Sequence, residues 1–188
     1  IHQFVTLLKN GEKVKMSTRK ANFVTLDELI KEVGGDVVRY FFIMRSMNSH
    51  LNFDLDLAAD QSEKNPVYYI QYAHARISNI LKNGKSKNLS LDAKFDATLL
   101  IHKSEISLIK SLYDFPEIMI KVLDSLEPQI IANYLHAIAS DFHKFYSKCR
   151  VITDDTELTK SRLYLIMSVK TVLANGLKVL GIQAPERM

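Results

Sequence analysis

The period of the apolar positions changes along the chain. Residues 1–8 are short and β-prone, which predicts a strand. Asn10-Gly11 is a turn signal, and residues 12–24 are polar and basic, which predicts a mobile loop. Thr25-Leu26-Asp27-Glu28 has the form of a capping box, in which the Thr side chain accepts from the backbone of residue 28 while Glu28 reaches back. A helix is predicted from there to Val33, stopped by Gly34-Gly35. Asp36 is the expected cap of a second helix running to about Met47. Residues 48–56 alternate and turn, as in irregular structure or a short strand.

Beyond this the pattern is helical. Asn65-Pro66 sets a cap residue before a proline at the first helical position, and that helix is expected to end at Gly84. Residues 84–91 are the best linker candidate. Ser90 or Asp92 is the expected start of a helix reaching about Tyr113. Pro116 and Pro128 open two more, ending near Leu126 and Arg150. Residues 153–156 form a loop and cap, and the last helix runs to about Leu180, closed by Gly181. There is no internal repeat. The fold class expected is all-α: a helical bundle preceded by a short strand and loop.

Composition narrows the class. A charged fraction of 24% and a hydrophobic fraction of 47% are ordinary for a globular chain. The single cysteine, Cys149, excludes an intramolecular disulfide and a Cys-pair zinc site, and suits a reducing compartment. No apolar run reaches the roughly 18 residues of a spanning helix. The chain starts at Ile1 without a signal peptide and reads as a piece of something longer. The net charge of +4 is a local feature. Residues 1–24 hold Lys9, Lys13, Lys15, Arg19 and Lys20 against Glu12 alone, whereas bases and acids balance over residues 25–188. A short basic segment attracts phosphate, and it also has the plain reading of a solvated loop.

Candidate chemistry is sparse. There is no P-loop or Rossmann glycine fingerprint and no zinc-protease helix motif. Among six histidines, His136 and His143 lie two turns apart with Cys149 further on, but the spacing reads as ordinary core or surface histidines. Cys149 reads as an inert thiol. The informative stretch is Lys15-Met16-Ser17-Thr18-Arg19, between a strand and a helix. An ammonium and a hydroxyl two positions apart on a mobile loop can follow polyphosphate oxygens as charge shifts.

Lys15-Met16-Ser17-Thr18-Arg19 resembles the KMSKS signature of class I aminoacyl-tRNA synthetases. Gly34-Gly35-Asp36-Val37-Val38-Arg39-Tyr40-Phe41 is similar to the Gly-x-Asp-Ala-Leu-Arg-Tyr-Phe pattern that follows it in arginyl, cysteinyl and methionyl enzymes. The run Asn65-Pro66-Val67-Tyr68-Tyr69-Ile70-Gln71-Tyr72-Ala73-His74-Ala75-Arg76 and the terminus from Leu180 to Met188 resemble arginyl-tRNA synthetases specifically. Ala21 stands where the signature usually continues with glycine, and Val37-Val38 replaces Ala-Leu.

The resemblance implies a KMSKS-type loop contacting ATP through Lys15, Met16, Ser17 and Arg19, with Mg2+ accompanying the nucleotide. It implies an anticodon-binding bundle that meets tRNA through Tyr69, Tyr72, Arg76, Tyr146, Arg150 and Met188. Splayed bases of an RNA loop stack on such rings and guanidinium planes. On the plain reading tyrosines at helical spacing are core, and Tyr68, on another face, is expected to be so. Asp36 and Arg39 are expected to be structural, a cap and a buried or bridging ion. The implied division is 1–24, the end of a catalytic domain; 25–64, connecting helices; and 65–188, the anticodon-binding domain. The implied partners are tRNA(Arg), ATP and arginine, with no membrane, in a cytoplasmic monomer. The nucleotide-binding fold with its His-x-Gly-His signature is not in the chain, so this portion alone is expected to be inactive. A helical protein-interaction scaffold without an RNA role, or the equivalent part of a cysteinyl or methionyl enzyme, are the competing readings.

Overall fold

The structure is a computed structural model that describes residues 5–14, 24–86 and 95–188. The KMSKS-like residues Lys15, Met16, Ser17 and Arg19, and most of the expected 84–91 linker, lie outside the described residues.

Strand β1 (Val5–Lys9) turns at Asn10-Gly11, both at positive φ, into β2 (Glu12–Lys13). The segment expected as loop from residue 12 therefore begins as a strand, antiparallel to β1, because the left-handed turn folds it straight back. β3 (Leu51–Asp54) pairs with β1 in parallel, Val5 opposite Leu51, giving the order β2-β1-β3. Between them lie α1 (Leu26–Val33) and α2 (Gly35–Ile43). The Thr25 capping box forms as expected: the Thr25 hydroxyl accepts from the Glu28 backbone at 3.2 Å, and Glu28 accepts from the Thr25 backbone at 2.8 Å. Glycine 34, at φ 88, separates α1 from α2, and α2 stops at Ile43 rather than Met47. Asp36 is not its cap; it sits in the first turn and bonds elsewhere, as described below.

A short helix α3 (Leu55–Ala59) leads to the bundle of α4 (Pro66–Ser86), α5 (Lys103–Tyr113), α6 (Phe115–Ser125), α7 (Gln129–Lys148) and α8 (Thr156–Val179). Asn65 caps α4 through Oδ1, 3.2 Å from the Val67 nitrogen, while its amide donates to Ala58 O at 3.1 Å. α4 does not end at Gly84. That glycine lies inside the helix, where a Cβ would stand 3.2 Å from Leu163, so it marks close approach to α8 rather than a stop. The helix expected from residue 90 or 92 also starts later. Residues 97–99 make one 3-10 turn, and His102 caps α5 with Glu105 reaching back, a capping box built on an unusual cap residue.

Helices α4, α7 and α8 pack on one another with i, i+3, i+7 apolar stripes: Ile70, Ala73 and Ile77; Leu135, Ile138, Phe142 and Phe145; Ile166, Val169 and Leu173. Gly176 marks a close α7–α8 approach, for a Cβ there would lie 2.5 Å from Leu135 Cδ2. Between α5 and α8, the Glu105 carboxylate accepts from Arg162 Nε at 2.7 Å and from the His102 backbone at 2.8 Å. Arg162 also donates to the Arg150 carbonyl at 2.8 Å, fixing the turn after α7. No helix among the described residues is long and apolar enough to cross a membrane.

The chain end is shaped by a Schellman motif. Gly181, at φ 69, donates to Lys178 O, and Ile182 donates to Leu177 O, so the last residues turn back across α4.

Candidate nucleic-acid interface

Of the candidate residues, Tyr69, Tyr72, Arg76 and Tyr146 converge where α4 faces α7. On α4, Tyr68 and Tyr72 are one turn apart and their rings stack at 6.2 Å, 14° from parallel. Arg76 comes one turn later. Its Nη2 donates to the Tyr72 hydroxyl at 2.6 Å, and its guanidinium carbon lies 4.6 Å from the Tyr72 ring centroid and 5.2 Å from that of Tyr146 on α7. The cation is thus held between rings from two helices, by the attraction of positive charge for the aromatic face. No carboxylate pairs with Arg76 among the described residues.

Tyr69 joins the same cluster through histidines of α7, 5.1 Å from His136 and 4.7 Å from His143. His143 also lies 6.2 Å from the Tyr72 ring, 24° from parallel. Tyr69, Tyr72 and Tyr146 are therefore linked into one assembly by His143 and Arg76. They are not sealed: Tyr69 and Tyr72 are half-buried, and Tyr146 is 40% exposed. Phe142, fully buried and 5.9 Å from the Tyr146 ring, supports the outer end from below.

Arg150 is exposed, one residue past the cap of α7. With Tyr146, Lys148, Ile80 and Asn83 it lines an open groove that continues the cluster toward the end of α4. This supplies a local basic surface that the overall neutrality of the bundle conceals. Met188, 51% exposed, lies in another groove, lined by Tyr68, Gln71 and Val37. Tyr68 is accordingly half-buried beside an opening and not core. Helical spacing alone could not tell its face, because the groove wall is made by the distant C-terminal tail.

That tail is tied down at three places. The Asp36 carboxylate accepts from the Gln183 backbone at 3.1 Å and from the Gln71 amide at 3.0 Å, and Gln71 also donates to Gln183 O. His74 Nδ1 donates to Pro185 O at 2.8 Å. Glu186 pairs with Lys170 at 2.8 Å and Lys82 at 3.4 Å, which lowers its pKa. Arg39 is exposed, its guanidinium about 3.5 Å from where a Gly181 Cβ would stand, rather than a buried or bridging ion.

Two histidines of the cluster have lowered pKa values. Burial lowers the pKa of His143, helped by the nearby Arg76 charge and opposed by Glu63 and the Tyr69 backbone. Burial lowers His136 as well. His136 and His143 do not meet Cys149, which packs 3.5 Å from Ser104 Oγ. Among the described residues no group of three His, Cys, Asp or Glu could hold a metal ion. Sequence reasoning missed Tyr68 and His143 as members of the cluster. The signal available for His143 was its position three residues before Tyr146 on the same predicted helix.

The chain is 52% identical over 188 residues to an arginine–tRNA ligase of Salinibacter ruber, covering all of this chain and 34% of the relative. It is 47% identical to that of Symbiobacterium thermophilum, with 99% and 34% covered. The chain thus spans about a third of the length of these curated relatives. A Campylobacter jejuni structure assigned as an arginyl-tRNA synthetase superposes with a TM-score of 0.83 at 27% identity, over all of this chain and 40% of the other. The Thermus thermophilus arginyl-tRNA synthetase shares the fold, with a TM-score of 0.77 at 23% identity over 98% of this chain and 35% of that one. The family model for the DALR anticodon binding domain matches residues 70–188, which contain Tyr72, Arg76, His143 and Tyr146. By that match over most of its length, the chain belongs to the DALR anticodon binding domain family.

Proposed function

We propose that this chain is the tRNA-binding portion of an arginine–tRNA ligase, the enzyme that joins arginine to tRNA(Arg) at the expense of ATP, and that its α4–α7 cluster meets the anticodon loop. The observation that carries the reading is the guanidinium of Arg76 lying against Tyr72 and Tyr146, within a family-matched region, beside grooves lined by Arg150 and Met188. Unpaired bases stack on aromatic and guanidinium planes, and phosphates follow nearby cations. Tyr69, Tyr72, Arg76, Tyr146, Arg150 and Met188 are the residues assigned to RNA contact. The relatives being arginine–tRNA ligases favours this over a cysteinyl or methionyl enzyme.

In this reading residues 1–24 close a catalytic domain, 25–64 connect, and 65–188 bind tRNA. Lys15, Met16, Ser17 and Arg19 would contact ATP phosphates during adenylate formation. Mg2+ would arrive with ATP, and no ligand for it is assigned to this chain. The enzyme is taken as a cytoplasmic monomer. Filter binding of tRNA(Arg) tests the reading: specific, salt-weakened binding without aminoacylation by this chain alone is expected, and indifference to tRNA(Arg) at low salt overturns it.

A second reading, a protein-docking module, draws on the exposed Tyr113 of α5 and Ile120, Leu123 and Leu126 of the α6 end. Alanine at Tyr69, Tyr72 and Tyr146 together separates the two, since RNA binding falls only if the first holds.

A further inference from the structure

Two features of the α4–α7 cluster are unexplained by a preformed stacking platform. The space between the Tyr72 and Tyr146 rings, where a base would stack, is taken by the Arg76 guanidinium. Beside the rings of Tyr69 and Tyr72, the Nε2 of His143 is buried and makes no hydrogen bond of normal geometry, the Tyr69 backbone being the polar group that approaches the imidazole. A buried polar atom without a partner costs about 1–3 kcal/mol, a cost that a water or a ligand group entering the cluster would remove.

We propose that the cluster is a closed base pocket: Arg76 fills it in the free protein, and an entering nucleobase displaces the guanidinium and hydrogen-bonds through its edge to His143 Nε2. The inference rests on the RNA-binding reading above and adds a specificity-determining residue to it. The geometry is consistent with exchange. Arg76 is held by ring contacts and one hydroxyl rather than by a carboxylate, and a displaced guanidinium can pair with phosphate of the same strand. The fully buried Phe142 ring lies 5.4 Å from that of His143 and packs against the imidazole. The groups facing His143 are Tyr69, Tyr72, Arg76 and Glu63 from the α4 side, and Phe142 on its own helix. With the ring neutral, its two nitrogens are one donor and one acceptor, and the contact reads a base edge rather than a phosphate charge.

The test uses the 188-residue chain and a stem-loop RNA carrying the seven-nucleotide anticodon loop of tRNA(Arg), with each loop base replaced in turn by its analogue lacking the edge amino or carbonyl group. One replacement is expected to weaken binding to the wild type by about tenfold, the low end of what a lost base-edge contact costs. His143→Phe, which keeps a ring but no nitrogen, is expected to erase that discrimination while still binding the parent RNA. His143→Gln is expected to restore part of it. The nitrogen resonance of His143 Nε2 should shift when the parent RNA binds. Melting curves confirm that both variants fold. If the wild type binds the stem-loop but His143→Phe keeps the full discrimination, or the Nε2 resonance stays fixed, the pocket is overturned and RNA binding stands. If the wild type ignores the stem-loop at low salt, both fall together.

Discussion

The Asp36 carboxylate accepts a hydrogen bond from the backbone N–H of Gln183 at 3.1 Å, across 147 residues of chain. Through Gln71, the same carboxylate is tied to α4, the helix that carries Tyr68, Tyr69, Tyr72 and Arg76. One acid thus joins α2, α4 and the tail that ends at Met188. Asp36→Ala should cost about 1–2 kcal/mol, the range for charged hydrogen bonds partly open to water. Hydrogen exchange should speed up at Gln183 and in the tail while the α7–α8 core stays protected. Asp36→Asn, which keeps an acceptor, should fall between.

The buried Glu105–Arg162 pair predicts a sharper loss. The two side chains are 1% and 13% exposed, and Glu105 serves the α5 cap as well. Arg162→Met leaves an uncompensated buried carboxylate and should cost about 3–5 kcal/mol by urea unfolding. Adding Glu105→Leu should recover only part of this, because the His102 backbone N–H then loses its partner.

At the α7–α8 contact, Gly176→Ala should destabilise even though alanine favours helices. The added Cβ meets Leu135 at 2.5 Å, and overpacking costs about 1–3 kcal/mol against the roughly 1 kcal/mol gained in helix propensity. Leu135→Val in the same chain should relieve it, seen as a partial return of Tm.

Stability should fall on acidification through the histidine range. Burial, first, and the Lys170 charge lower the pKa of His74 below its ordinary 6.5, against the opposing Pro185 hydrogen bond and Glu186; burial also lowers His136 and His143. The unfolded chain therefore binds more protons than the native one between the lowered values and about pH 6.5. The stabilisation is complete above that window, is lost as pH drops through it, and levels off below the native values. Urea unfolding from about pH 8 to pH 5 measures the slope, and His74→Gln should flatten it.

What could be read from the chain beforehand was whatever neighbouring residues decide. Thr25, Asn65 and Asp155 cap their helices because their side chains reach backbone N–H groups two or three residues on. The errors fall where a partner is distant. Asp36 resembles a cap, but its partners are Gln71 and Gln183. Gly84 resembles a stop, but its small size serves Leu163 of another helix. His102 does a cap's work with a residue type that carries no cap signal. In the candidate interface, the Tyr72–Arg76 spacing was legible because it lies within one helix. The pairing with Tyr146, the burial of His143 Nε2 and the partial exposure of Tyr68 depend on how α7 and the tail lie against α4.

If the α4–α7 cluster holds the anticodon loop, that loop is shielded from nuclease in the complex. Nuclease footprinting of full-length tRNA(Arg) bound to the 188-residue chain tests it most directly, comparing the wild type with the triple alanine variant at Tyr69, Tyr72 and Tyr146. Protection concentrated in the anticodon loop, and lost in the folded variant, is the expected result. Protection that survives in the variant, or that lies only on the acceptor arm, would contradict it.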